Sequence, residues 1–139
     1  MTHLILQPVA ALMLLTLLVW FVMYARRLRF IIANRIALHE FVSPETLNAV
    51  LPEDVNRPSN NLKNLFELPV LFYAICIVLA VAQQADPLSI GLAWAYVALR
   101  AIHSAIHCTV NIVMLRFTAY VLSSIVLWIM VVRFVSLVY

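Results

Sequence analysis

Glycine is almost missing from this chain: of 139 residues only Gly91 is one, and Asp, Glu, Lys and Arg together make up 11%. With 65% of residues hydrophobic and a mean hydropathy of +1.03, the composition lies outside the balance of a soluble globular domain. Cysteine is scarce too. Cys76 and Cys108 both fall in apolar segments without C-x-x-C spacing, which excludes a disulfide framework and a thiolate metal site. Six acidic residues face nine basic ones, for a net charge of +3. In a chain with so little polar surface that excess speaks of orientation in a bilayer rather than of nucleic acid, for which there is no motif. There is also no low-complexity segment and no internal repeat.

What fills the chain is four apolar runs, each long enough to cross a hydrocarbon layer at about 20 residues per span. The pattern predicts an all-α membrane protein, a single domain of four transmembrane helices in an antiparallel bundle, with spans at about 5–25, 62–82, 88–114 and 117–136. The first run is followed at once by Arg26, Arg27, Arg29 and Arg35. A cleaved signal peptide carries its charge before the apolar region, so this run is expected to be a retained helix. The positive-inside rule then places the loop of about residues 26–61 in the cytoplasm and both termini outside it. Within that loop, Ser43-Pro44-Glu45 reads as a helix start and Pro52 as its close, and Glu53 to Asn60 reads as a turn leading to the second span. The absence of eukaryotic sorting signals points to a bacterial inner membrane.

Polar residues inside the spans are where function is sought. Arg100, His103, His107 and Asn111 are spaced by three, four and four, so on one helix they share a narrow stripe, with Ser104 beside it. A charge at the depth of Arg100 costs about 2.5–3.5 kcal/mol even on the lenient insertion scale, so a partner or polar cavity must offset it. On the second span Asn64 and Glu67 lie at comparable depth to Asn111 and His107. Pro69 follows closely and is expected to kink the helix, freeing a carbonyl near Leu65. Glu67 is expected to face His107 or His103. His103 and His107 also have the i, i+4 spacing of zinc sites, but no Glu follows His103 and an arginine nearby repels a cation, so no metal is expected.

Three functions suit such a stripe. A water-filled pocket opening to the cytoplasm binds a polar ligand. A buried polar clamp fixes helix register, as in a non-catalytic subunit or scaffold docked to a larger membrane-protein partner. A chain of ionisable groups relays protons or ions, although charged groups are scarce on the outer half.

The four-span plan, Asn64-x-x-Glu67 followed by Pro69, Arg100-x-x-His103 and Arg116 before the last helix together resemble the MAPEG family, membrane-associated proteins of eicosanoid and glutathione metabolism, as a divergent bacterial-type member. The resemblance spans nearly the whole chain in layout, and motifs carry it only in the second and third spans. It implies a homotrimer with glutathione held between subunits near the cytoplasmic face. Asn64, Glu67 and Arg100 would hold glutathione, and Arg116 would serve the thiol as the catalytic residue. His103, His107 and Asn111 would lend hydrogen bonds. The implied activity is a glutathione-dependent transferase or peroxidase taking lipophilic electrophiles from the lipid bilayer. The chain departs from the family where Ser59, Asn60 and Leu62 stand at usually basic positions, and where His107 stands in place of a tyrosine; Arg57 and Lys63 are nearby replacements for the missing cations.

Overall fold

The computed structural model describes residues 2–37, 39 and 43–139. After a short 3-10 turn, Thr2–Ile5, the described residues form six helices: α1 Leu6–Ala33, α2 Pro44–Val50, α3 Glu53–Leu65, α4 Pro69–Val81, α5 Pro87–Cys108 and α6 Val113–Val138. Among the described residues, four stretches are long and apolar enough to cross a membrane: His3–Ala33, Glu53–Val81, Pro87–Cys108 and Val113–Val138.

The first helix does not stop at its arginines. Arginine is a good helix former, and no glycine or proline intervenes, so α1 runs on past residue 25 to Ala33. It closes by a Schellman arrangement in which the Ile36 N–H donates to the Ile31 carbonyl at 3.1 Å and the Arg35 N–H to Ile32 at 3.3 Å. Glycine normally takes the left-handed position of such a cap, and here none is at hand. Arg35 (φ 50°), Gln83 (φ 57°) and Asn111 (φ 51°) occupy the left-handed region instead, while Gly91 lies inside α5.

The reading of Glu53 to Asn60 as a turn is corrected: these residues are helical, as the first part of α3. Glu53 and Asp54 suit a helix start, and Pro58 is tolerated because its missing N–H deprives only the Asp54 carbonyl. Arg26 reaches across from α1 to satisfy that carbonyl at 3.0 Å. Helix α2 begins with Ser43 and Thr46 capping each other and Pro44 at the first helical position.

Between α3 and α4 the chain breaks over residues 66–68, where Pro69 can offer no N–H to the helix before it. The third helix, expected to continue to Met114, ends at Cys108. Its terminal carbonyls are taken by arginines, Cys108 by Arg26 at 2.8 Å and Thr109 by Arg57 at 2.7 Å, which suits positive charge at a helix C-terminus. Consequently α6 starts at Val113, and Arg116 sits in its first turn rather than in a loop.

Helix α5 packs most extensively on α6, and α3 lies mainly on α1. At one end of the α5–α6 pair, Arg133 donates to Asp86, the N-cap of α5, at 2.8 Å. At the other end, the turn of residues 109–112 joins them. The core collects Leu12, Val19, Leu65, Phe72, Ile75, Tyr96, Leu127 and Met130, with Phe72 and Tyr96 stacked at 4.8 Å. Leu14, Leu18, Phe117, Ile125, Trp128 and Val132 are among the many large apolar side chains left facing outward. That inversion suits a lipid solvent.

Candidate functional site

Arg100 is fully buried on α5, about two turns from its C-terminal end. Among the described residues its guanidinium forms no ion pair with a carboxylate. One terminal nitrogen donates to the main-chain carbonyl of Asn64, and the cation lies 5.4 Å from the ring centroid of Tyr120 on α6. The helical break explains the first contact: with residues 66–68 out of the helix, the Asn64 carbonyl loses the N–H that would have claimed it. The freed carbonyl is thus one residue before the Leu65 that proline geometry predicts. Asn64 contributes its backbone, and Tyr120 an aromatic face. The remaining guanidinium nitrogens, Nε and Nη1, have no partner.

His103 and His107 stand one and two turns beyond Arg100 on the same stripe, both buried, their rings edge to face at 5.6 Å. His103 Nδ1 lies 3.0 Å from the Arg116 carbonyl. A carbonyl can only accept, so Nδ1 carries the proton in that bond, and in the neutral ring Nε2 is a free lone pair. Nε2 of His103 and Nδ1 of His107 are both unpartnered, as is the hydroxyl of fully buried Tyr96, one turn before Arg100. Five polar atoms with no protein partner therefore lie along one face of α5, whereas buried polar groups in proteins are normally satisfied.

Asn111 is not on this stripe. It lies in the turn after α5, where its Nδ2 donates to Glu53 at 3.1 Å and its Oδ1 accepts from Arg116 Nη1 at 2.5 Å. Glu67 lies in the break between α3 and α4 and is exposed. It faces neither histidine as an ion pair: the pairs among the described residues are Arg57–Glu53 at 3.6 Å and Arg133–Asp86 at 2.8 Å. The break that supplies Arg100 with a carbonyl also turns Glu67 outward.

The nearby cations divide into two groups. Arg26 and Arg57 cap the end of α5, and Arg27 donates to Asn48 and Ser59, each at 2.9 Å. These side chains are committed within the chain, Arg57 included. Lys63, exposed on the last turn of α3, and half-buried Arg116 lie toward the surface. Beside the break, a cavity of about 400 Å³ runs between α1 and the α3–α4 pair, lined by Met13, Thr16, Trp20, Leu62, Phe66 and Tyr73. Its walls are almost wholly apolar.

The α5 stripe is legible in the sequence, whereas the roles of Asn61 and Tyr120 are not. Asn61 is fully buried; it accepts from the Ser104 hydroxyl at 3.3 Å and points its amide at Cys108 Sγ, 3.6 Å away. Its signal is an amide at the start of an apolar run, one turn from Asn64 and Leu65. Tyr120 sits in a largely apolar run, where no spacing marks it.

Residues 5–136 match the model of the MAPEG family. No curated protein and no solved structure matches the chain.

Proposed function

The chain belongs to the MAPEG family and is an integral membrane protein, and on that premise we propose that it binds glutathione and uses the thiol on lipophilic electrophiles or hydroperoxides. The observation that carries this reading is the row of unpartnered buried atoms on α5, with Arg100 in ion-pair contact with no carboxylate among the described residues. A cation kept out of water without a direct carboxylate partner calls for an anionic group, and a tripeptide with two carboxylates and a thiol is one.

The residues fit such a ligand in part. Exposed Glu67, an acceptor, suits the ligand's ammonium, and Lys63 and Arg116 suit its carboxylates and its sulfur. Arg100 fixes the α3–α4 break through Asn64 and offers its two free nitrogens, with His103 and His107 as hydrogen-bonding support. A free thiol titrates near 8.5, so activity at neutral pH needs a nearby cation to favour the thiolate, which is the role of Arg116. The apolar cavity beside Phe66 suits a lipophilic co-substrate entering from the bilayer. As in the family, the assembly would be a homotrimer of antiparallel four-helix bundles, in the inner membrane of a bacterium, with both termini outside the cytoplasm.

Arg116→Ala tests the assignment. Turnover with glutathione and a model electrophile should fall at least tenfold, the change in thiolate fraction for one unit of thiol pKa, with a smaller change in glutathione affinity. An equal loss from Arg29→Ala, on the exposed end of α1, would remove Arg116 from the chemistry.

A second reading is a non-catalytic subunit docked to a larger membrane complex. It is favoured by the commitment of Arg26, Arg27 and Arg57 to partners within the chain, which leaves few cations for an anionic peptide.

A further inference from the structure

Glu53 is the first residue of α3, Asn111 lies in the turn between α5 and α6, and Arg116 is in the first turn of α6. They are far apart in sequence and joined by two hydrogen bonds, Asn111 Nδ2 to Glu53 Oε1 at 3.1 Å and Arg116 Nη1 to Asn111 Oδ1 at 2.5 Å. The chemistry of the ends fixes the middle. A carboxylate only accepts and a guanidinium only donates, so the amide of Asn111 has one orientation that satisfies both. Turning it over would set its N–H₂ against the guanidinium and its oxygen against the carboxylate.

The backbone adds a constraint. Asn111 has φ 51°, a region that asparagine and glycine tolerate and branched residues do not. Its N–H is tied to the Ile106 carbonyl at 2.8 Å, and the preceding Thr109 carbonyl is held by Arg57, itself 3.6 Å from Glu53. Other charged or titratable groups near the start of α6 are His103, bonded to the Arg116 carbonyl, and His107, which feels the Arg116 and Arg57 charges. Both the main chain and the side chain of Arg116 are therefore held, the first by α5 and the second by α3 through Asn111.

We propose that Glu53 and Asn111 form a positioning relay that aims the Arg116 guanidinium, so that Asn111 acts through Arg116 and does not itself bind ligand. The proposal rests on the reading of Arg116 as the cation beside the thiol. Glu53 polarises the amide, which strengthens the acceptor that Arg116 sees, and one remaining face of the guanidinium is left for the sulfur.

The test uses the full-length protein in detergent with 15N-labelled arginine, the Arg116 side-chain signal being assigned by its loss in Arg116→Lys. Two readouts are taken: the 15N heteronuclear NOE of the Arg116 Nε–H, and the ultraviolet thiolate absorbance of bound glutathione. Asn111→Gly keeps the left-handed backbone and deletes both side-chain bonds, and Glu53→Ala deletes the outer one together with the Arg57 ion pair while leaving the Asn111–Arg116 bond. The expected result is a fall of the Arg116 NOE to the level of the exposed arginines in Asn111→Gly, a partial fall in Glu53→Ala, and a several-fold loss of thiolate in both at saturating glutathione. An Arg116 NOE that is unchanged in Asn111→Gly overturns the relay, whatever glutathione does. A lowered NOE with undiminished thiolate overturns its role at the thiol. A lowered NOE in a protein whose wild type gives no thiolate upholds the relay as a structural fact and ends the thiol-transfer reading instead.

Discussion

Arg100 is the residue whose energetics are hardest to explain by structure alone. It makes one hydrogen bond to a carbonyl, stacks on Tyr120, and leaves two nitrogens unpartnered in the middle of the fold. Replacing it by methionine would orphan the Asn64 carbonyl, at about 1–3 kcal/mol. The same change removes a membrane-buried charge, worth about 2.5–3.5 kcal/mol in the opposite direction. Losing the cation–π contact with Tyr120 costs about 0.5–2 kcal/mol more, so the opposing effects roughly cancel and Arg100→Met is expected to unfold in detergent close to the wild-type temperature. A drop of several degrees in the thermal melt would identify Arg100 as a register clamp and favour the scaffold. Asp86 provides a pH-dependent counterpart at the other end of α5. The Ser89 hydroxyl and backbone N–H, and then Arg133, hold its carboxyl below the ordinary value. Because the folded pKa is the lower one, its contribution is fully present above the unfolded value of about 3.9 and is lost as pH falls through the folded one. Asp86→Asn keeps a capping side chain and removes the charge. Its stability should therefore be less steeply dependent on pH in the acid limb of an unfolding titration; a profile parallel to wild type contradicts this.

At the scale of elements, the break between α3 and α4 organises the site. It frees the Asn64 carbonyl for Arg100 and turns Glu67 to the surface, and Phe66 within it lines the apolar cavity. Pro69→Ala restores the missing N–H and allows the two helices to join. Hydrogen exchange should then slow at Glu67 and Leu68, and glutathione affinity should fall as the Asn64 carbonyl is recaptured by the helix. Unchanged exchange at both amides would mean that something other than proline holds the break. Pro69 was legible in the sequence as a kink, because its chemistry is local. The direction in which the break points Glu67 was not, since that depends on how α4 packs on α1 and α6. Asn111 shows the same limit: its spacing from His107 suits a helix, but Arg26 and Arg57 terminate α5 before it, and neither arginine adjoins it in sequence. Likewise Glu53 to Asn60 looks like a turn by composition, and is helical because Arg26 replaces the N–H that Pro58 lacks.

At the scale of the whole molecule, the apolar composition and scarcity of glycine made the membrane legible at once, since hydropathy needs no tertiary detail. Which polar groups would meet was not legible, because in a bundle they meet across helices, as Asn61 does with Ser104 and Arg27 with Ser59. The outward apolar faces fit both lipid and neighbouring subunits, and a homotrimer is the assembly proposed. Light scattering of the protein in detergent, corrected for bound detergent, should give three chains per particle; a monomer would remove any site that needs two subunits. The unpartnered stripe on α5 is proposed to take a thiol tripeptide. The most direct test is isothermal calorimetry with glutathione on the intact oligomer, beside a Glu67→Gln, Arg100→Met double variant that melts as wild type does. Saturable binding to the wild type that is lost in the variant is the expected result. No heat from the wild type at millimolar glutathione, or equal binding by both proteins, would contradict it.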